Sequence, residues 1–446
     1  MTMKDTNPPA PTTNPQDAIR HAPLSRGQII GIVIVTLLSV VDGYDLLATA
    51  FVAPSLAREF GVGSADLGIL LSSGLAGTLF GAFMLAPLAD YMGRKPVILI
   101  SLAIMTLGMG ASALCTTLNA LAVTRLFAGV GIGAMMVVVN PIAAELANDR
   151  NRTFVIAIKS IGFPIGGVIG ALLAAVLIET TGWQALFWSG AGAGLLLLPL
   201  VALALPESID YLMERRPKDA LQKVNTVLAA FGHQAVNALP PVANRSPHAS
   251  YLLIFSRRYL TSTVCASSIG FLTWAAIFFF LSWQVQMLTD AGLSHASAAA
   301  IASSSSITGA LGVVFFAFAA LYVDDRKLSV FCVLGLGAAL IAFGQVSAGI
   351  GLLTATASVI GVFITGTTVA LYVVITRVFA GAMLATGSGF VVGVGRIGSA
   401  FGPAAAGFLF HQGMDRALVT AVMGGCAILA SILMASMLRA DRTTRS

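Results

Sequence analysis

The chain has 446 residues, 57% of them hydrophobic and 10% charged, with a net charge of +6. A soluble domain carries about 25% charged residues, and the mean hydropathy here is +0.90. That balance excludes an ordinary soluble enzyme. With no basic stripe on a soluble domain, it implies no nucleic-acid partner either.

Residues 1–27, rich in Pro, Thr and Asn, read as a disordered tail. Apolar runs then follow one another from Ile29 to Leu438. A bilayer crossing needs about 20 residues. Twelve runs of that size begin near residues 29, 67, 97, 119, 154, 184, 262, 296, 329, 349, 384 and 415. They are too long and too rich in Gly and Ala for barrel strands, so the expected fold is an all-α membrane bundle.

The expected domains are an N-terminal half, 28–205, and a C-terminal half, 259–439. A polar central loop, 206–258, joins them, and 440–446 is a tail. Within the loop, Pro217 to Phe231 has amphipathic spacing and reads as a surface helix, a brace between halves or a solvated tether.

Of 25 Lys and Arg, 21 are counted in the tails and even-numbered loops. Arg58 and Arg416 fall in odd-numbered loops, and Arg125 and Arg396 inside spans. The positive-inside rule then puts both termini and the central loop in the cytoplasm. A cleaved signal peptide fits poorly, because Asp42 and Asp45 interrupt the first apolar run. Cys115, Cys265, Cys332 and Cys426 form no CxxC and read as inert thiols.

The acids of the first span stand in Val40-Val41-Asp42-Gly43-Tyr44-Asp45-Leu46-Leu47. A charge at membrane depth costs at least about 2.5–3.5 kcal/mol on insertion scales and is usually functional. Spacing i, i+3 puts both on one helix face, aimed at one cavity. Arg125 lies early in span four, and the Asp42/Asp45 pair is its nearest candidate partner. Arg396 lies near the middle of span eleven, where no second-half acid stands at matching depth. A guanidinium cannot shed its proton. Arg396 therefore awaits an anion brought by a substrate, or is satisfied by helix carbonyls.

Between spans two and three stands Leu88-Ala89-Asp90-Tyr91-Met92-Gly93-Arg94-Lys95-Pro96. Asp90 can pair with Arg94 or meet a helix N-terminus, locking one conformation, or the loop can serve only as a topology signal. Glu145, at the inner end of span four, is a partner for Arg150, Arg152 or this loop. Gly162-Phe163-Pro164-Ile165-Gly166-Gly167 in span five is echoed by Gly398-Ser399-Ala400-Phe401-Gly402-Pro403 in span eleven.

The 88–96 loop resembles the signature loop of the major facilitator superfamily, G-x-L-A-D-R-x-G-R-K, with Ala86 for its first glycine and Tyr91 for its arginine. Arg125-Leu126-Phe127-Ala128-Gly129-Val130-Gly131-Ile132-Gly133 and Leu205-Pro206-Glu207-Ser208 are similar to further superfamily motifs. Asp42-Gly43-Tyr44-Asp45 resembles the D-G-[FY]-D of the aromatic acid/proton symporters, as do Ala385-Thr386-Gly387 and Gly393-Val394-Gly395-Arg396-Ile397-Gly398.

The resemblance implies twelve helices in two pseudo-symmetric six-helix halves. It also implies import of a benzoate- or hydroxybenzoate-type anion with protons, across a bacterial inner membrane, by a monomer without cofactor. Asp42, Asp45 and Arg125 would then serve proton coupling. Arg396, Tyr44 and Trp274 would bind substrate, and Asp90, Arg94 and Glu145 would gate. Departures are Leu384, the shortened second-half loop Asp324-Asp325-Arg326-Lys327, and Ser282-Trp283-Gln284-Val285-Gln286 in span seven. Those two glutamines point to a more polar substrate or cap the outer end of the span. Transport of another metabolite (a dicarboxylate, sugar or drug), even by antiport, is the competing reading; no nucleophile–base constellation points to an enzyme.

Overall fold

The computed structural model describes residues 14–241, 251–257, 259–346, 349–379 and 383–445. Among the described residues, twelve long helices form the bundle. In the first half they are α1 (Arg26–Phe60), α2 (Ser64–Met84), α3 (Arg94–Ala113), α4 (Leu118–Leu146), α5 (Arg152–Thr180) and α6 (Gln184–Ala204). The second half holds α7 (Leu260–Asp290), α8 (His295–Ala319), α9 (Asp325–Gln345), α10 (Ile350–Val378), α11 (Met383–His411) and α12 (Arg416–Arg445). Eleven are long and apolar enough to cross a membrane. The remaining one is α11, where Arg396, Pro403 and many glycines lower the hydropathy.

Helix starts follow the caps in the sequence. Ser25 and Gln28 form a reciprocal capping box at α1, and the side chains of Thr117, Ser294 and Asp324 accept from the first turns of α4, α8 and α9.

The proline–glycine echo has a packing role. A Cβ on Gly162 would sit 2.8 Å from the Thr36 carbonyl oxygen, and one on Gly166 would sit 2.0 Å from that of Val40. These glycines let α5 lie directly on the α1 backbone. In the second half, Gly398 and Gly402 do the same for α11 on α7, where a Cβ would come within 2.3 Å and 2.2 Å of the Phe271 and Ala275 oxygens. The α1–α5 contact thus recurs as α7–α11, as two inherited half-repeats require.

The halves meet through α2 with α11, α5 with α8, and α1 with α7. Their apolar cores are arranged unequally. From mid-bundle to the end remote from the termini, one cluster takes residues of both halves, including Leu47, Phe51, Leu71, Phe280, Trp283 and Ala406. At the end that carries the termini there are two cores, one of N-terminal-half residues and one of C-terminal-half residues. The bundle is joined at the far end and divided toward its termini.

Two expectations are corrected. The N-terminal tail is not disordered throughout: Pro15–His21 is a helix, Gln16 Nε2 donates to Asp210 at 2.5 Å, and Asn148 Nδ2 donates to the Ala22 carbonyl at 2.9 Å. The amphipathic segment forms a helix over Ala220–Ala230, but it braces one half only. Its Val224, Val227 and Leu228 enter the N-terminal-half core beside Ile32 and Val201.

A charged site between the halves

Asp45 on α1 and Arg125 on α4 form an ion pair with N–O 2.5 Å, their side chains 0% and 3% exposed. Arg125 Nε donates to Ser112 Oγ of α3 at 2.8 Å, and its guanidinium lies 4.7 Å from the centroid of the Phe187 ring on α6. Four helices thus enclose one neutral charge pair. Its geometry leaves Asp45 Oδ2 and Arg125 Nη2 buried without a hydrogen-bond partner among the described residues.

Asp42 does not join this pair, although it shares a stripe of α1 with Asp45. Its Oδ1 is buried and has no hydrogen-bond partner among the described residues. The charged groups near enough to act on its carboxylate are Lys159, Asp45 and Arg396. Two carboxylates at i, i+3 are offset around the helix, and here each meets a different set of neighbours.

Arg396 on α11 is buried, 8% exposed. Both of its terminal nitrogens lie 3.9 Å from the Met136 sulfur on α4, a weak acceptor. No carboxylate of the described residues lies within ion-pair distance of it; Tyr372 and Asp42 are the groups that act on it through space. Among the described residues, no helix carbonyl bonds its terminal nitrogens.

Lys159 corrects the charge count. Reckoned with the loop cations, it lies seven residues inside α5, and its Nζ donates to Asn140 Oδ1 of α4 at 2.7 Å. The span expected from residue 154 contains this position, so Lys159 is an intramembrane cation alongside Arg125 and Arg396.

Trp274 of α7 stands beside Arg396's segment: a Cβ on Gly395 would lie 3.4 Å from its ring. Its ring meets Phe278 edge-on, with centroids 6.3 Å apart. Tyr44 turns the other way, into the N-terminal half, where its hydroxyl donates to the Leu186 carbonyl at 2.8 Å and lies 2.6 Å from Ser189 Oγ. The glutamines of α7 are internally engaged. Gln284 accepts from Ser305 on α8 at 3.2 Å, and Gln286 donates to Asp290 at 2.8 Å.

At the end bearing the termini, Arg94 Nη1 is paired with Glu145 Oε1, and Glu145 Oε2 accepts from Ser208 Oγ at 2.6 Å. Glu207 Oε1 accepts the backbone N–H groups of Arg94 and Lys95 at 2.9 and 3.2 Å. A carboxylate from beyond α6 thereby caps α3, whose preceding Gly93 has φ +100° and offers no side chain. Asp90 is exposed and within electrostatic reach of Arg94, but Arg94 spends its guanidinium on Glu145. The second-half loop repeats the pairing with the charges exchanged: Asp325, first residue of α9, receives Arg377 of α10 at 2.7 Å.

A sequence model of the Major Facilitator Superfamily matches residues 34–288. The chain is 30% identical to the gallate transporter of Pseudomonas putida, over 94% of this chain and 93% of that one. It is 29% identical to the 4-hydroxybenzoate transporter PcaK of Acinetobacter baylyi, over 87% and 86%. The chain belongs to the Major Facilitator Superfamily. The crystal structure of a D-xylose-proton symporter superposes with a TM-score of 0.71 over 91% of this chain and 97% of that one. At 17% identity, that likeness shows the superfamily fold.

Against that fold, the residues singled out in the sequence divide into three groups. Asp45 with Arg125, and Arg94 with Glu145, are brought together. Asp42, Arg396 and Trp274 converge on the boundary between halves. Tyr44 bonds Leu186 and Ser189 instead, and Asp90 is exposed near Arg94. Missed were Lys159, Asn140 and Ser112, and the use made of Glu207 and Ser208. The last two lay in a quoted motif whose chemistry, a carboxylate next to a hydroxyl just past a span, was legible.

Proposed function

We propose that this superfamily member imports a small aromatic carboxylate, of the benzoate or hydroxybenzoate type, together with protons. It works as a monomer in the bacterial inner membrane, with both termini cytoplasmic. The relatives named for gallate and 4-hydroxybenzoate support the substrate class. The observation that carries the reading is Arg396: a buried guanidinium at the boundary between halves, with a thioether as its hydrogen-bonding neighbour. A substrate carboxylate fits that position, because it supplies two parallel acceptors to a planar fork.

Asp42 supplies the coupling. While ionised, it offsets the positive field of Arg396 and Lys159. An entering anion competes for the same field and is repelled by the Asp42 charge. Protonating Asp42 removes that repulsion, so proton and anion each raise the other's affinity by an equal factor. Asp45 and Arg125 hold α1 in place beneath it and complete the coupling group. Rocking of the halves then exposes the site to either side. With the termini in the cytoplasm, the division of the core toward that end corresponds to an inward-facing state. Asp90 takes its partner in the opposite state, while the Arg94–Glu145 pair belongs to this one.

The test is uptake of labelled 4-hydroxybenzoate into proteoliposomes under an imposed inward proton gradient. Accumulation above equilibrium that a protonophore collapses is the expected result. Uptake that only equilibrates, with or without the gradient, would refute proton coupling.

A further inference from the structure

Lys159 and Arg396 come from opposite halves and end on the same helix. Arg396 lies against Met136, and Lys159 bonds Asn140. Met136 and Asn140 are four residues apart on α4, so they lie on one face, separated by about 6 Å of helix rise. Neither cation has a carboxylate within ion-pair distance among the described residues, and both act on Asp42. Lys159 is half-buried and its partner Asn140 is exposed, so the pair is not sealed within the packed core. One carboxylate satisfies one guanidinium fork. It leaves the Lys159 ammonium, bonded to the neutral Asn140 amide, without an anionic acceptor of its own among the described residues.

We propose that Lys159, with Asn140, forms a second subsite that receives a polar substituent on the far side of the substrate ring from the carboxylate held by Arg396. This deepens the aromatic-acid reading and rests on it. The substituent class is an acceptor: a phenolic hydroxyl or a second carboxylate. An ammonium has three donors and no acceptor, and one of those donors is already held by Asn140. The Asn140 amide N–H₂ adds donors beside it. A para-substituted ring is about as long as one helix turn, so a carboxylate at the level of Met136 leaves the substituent near the level of Asn140. Met136, beside Arg396 and one turn from Asn140 on α4, offers the carboxylate end of the ring an apolar, polarizable contact. Lys159 thereby sets specificity for substituted over unsubstituted acids.

The experiment measures affinities of benzoate, 4-hydroxybenzoate and terephthalate for the purified full-length protein, in the wild type, Lys159→Gln, Lys159→Arg and Asn140→Ala. Wild type is expected to prefer the two para-substituted acids over benzoate at least tenfold. In Lys159→Gln that ratio falls to about one. Lys159→Arg keeps most of the preference for terephthalate, and Asn140→Ala reduces the ratio partway. Size-exclusion profiles and thermal unfolding establish that each variant is folded. If wild type binds none of the acids, the aromatic-acid reading itself fails. If wild type binds them without preference, or if Lys159→Gln keeps the full preference, the aromatic-acid reading stands and the second subsite is refuted. Should Lys159→Gln not fold, Asn140→Ala decides: an undiminished ratio there overturns the proposal.

Discussion

Asp45→Asn removes one partner of a fully enclosed charge pair and leaves the other in place. The Arg125 guanidinium would then keep Ser112 and the Phe187 face as neighbours, with no negative charge within reach of its terminal nitrogens. Breaking a buried pair from one side costs about 3–5 kcal/mol, because the remaining charge is uncompensated. At 1.4 kcal/mol per decade, that is roughly two to four decades in the folded-to-unfolded ratio. Removing both charges, Asp45→Asn with Arg125→Gln, should recover most of the loss, since two neutral groups of similar volume can bond to each other. Thermal unfolding of the purified variants in one detergent measures the order: wild type and the double variant high, Asp45→Asn and Arg125→Gln low. The same single variants should fail to accumulate substrate uphill, while Asp45→Asn retains exchange across equal pH. A single variant as stable as wild type, or a double variant no better than either single one, would refute the enclosed-pair argument.

Asp42→Asn should reduce proton-driven uptake at least tenfold, because it removes the carboxylate on which Lys159 and Arg396 act; normal, protonophore-sensitive uptake would remove it from the coupling path. Asp90→Asn should lower transport yet keep substrate affinity within about tenfold, since only a contact made in one state shifts an equilibrium; unimpaired transport would leave Asp90 as a topology signal. Gly398→Ala should destabilise the protein by about 1–3 kcal/mol through overpacking against α7, whereas Gly389→Ala, where no atom lies within 4 Å of the added Cβ, should not; equal unfolding temperatures would contradict the packing account. Glu207→Ala should cost about 0.5–2 kcal/mol by uncapping α3, read as a lower unfolding temperature.

Much of the fold was legible because bilayer crossing imposes length and apolarity. Every span start expected from the sequence falls within four residues of the observed helix start, for instance 329 against Asp325 and 184 against Gln184. The glycine echo was also readable, and its meaning became clear only when Gly162 and Gly398 were found on equivalent partner helices.

The site was less legible. Helical spacing put Asp42 and Asp45 on one face, but it could not say that Arg125 would take one and leave the other. That division depends on how α4 approaches α1, which is set by tertiary packing. Lys159 escaped for a different reason: a charge near a span end is ordinarily a loop residue, and its placement depends on Asn140, which only a three-dimensional α4–α5 contact reveals. The exchanged polarity of Asp325–Arg377 relative to Arg94–Glu145 was likewise hidden, because each partner lies about fifty residues from the other in sequence.

Binding of an aromatic acid and its uncharged amide to the purified protein tests the central claim most directly, because it asks whether Arg396 receives a substrate carboxylate. The account predicts that wild type binds the acid and discriminates against the amide, that Arg396→Ala loses acid binding, and that Arg396→Lys loses much of it because a point charge lacks the fork. A wild type indifferent to the acid's charge, or an Arg396→Ala variant that binds the acid as tightly as wild type, would contradict it.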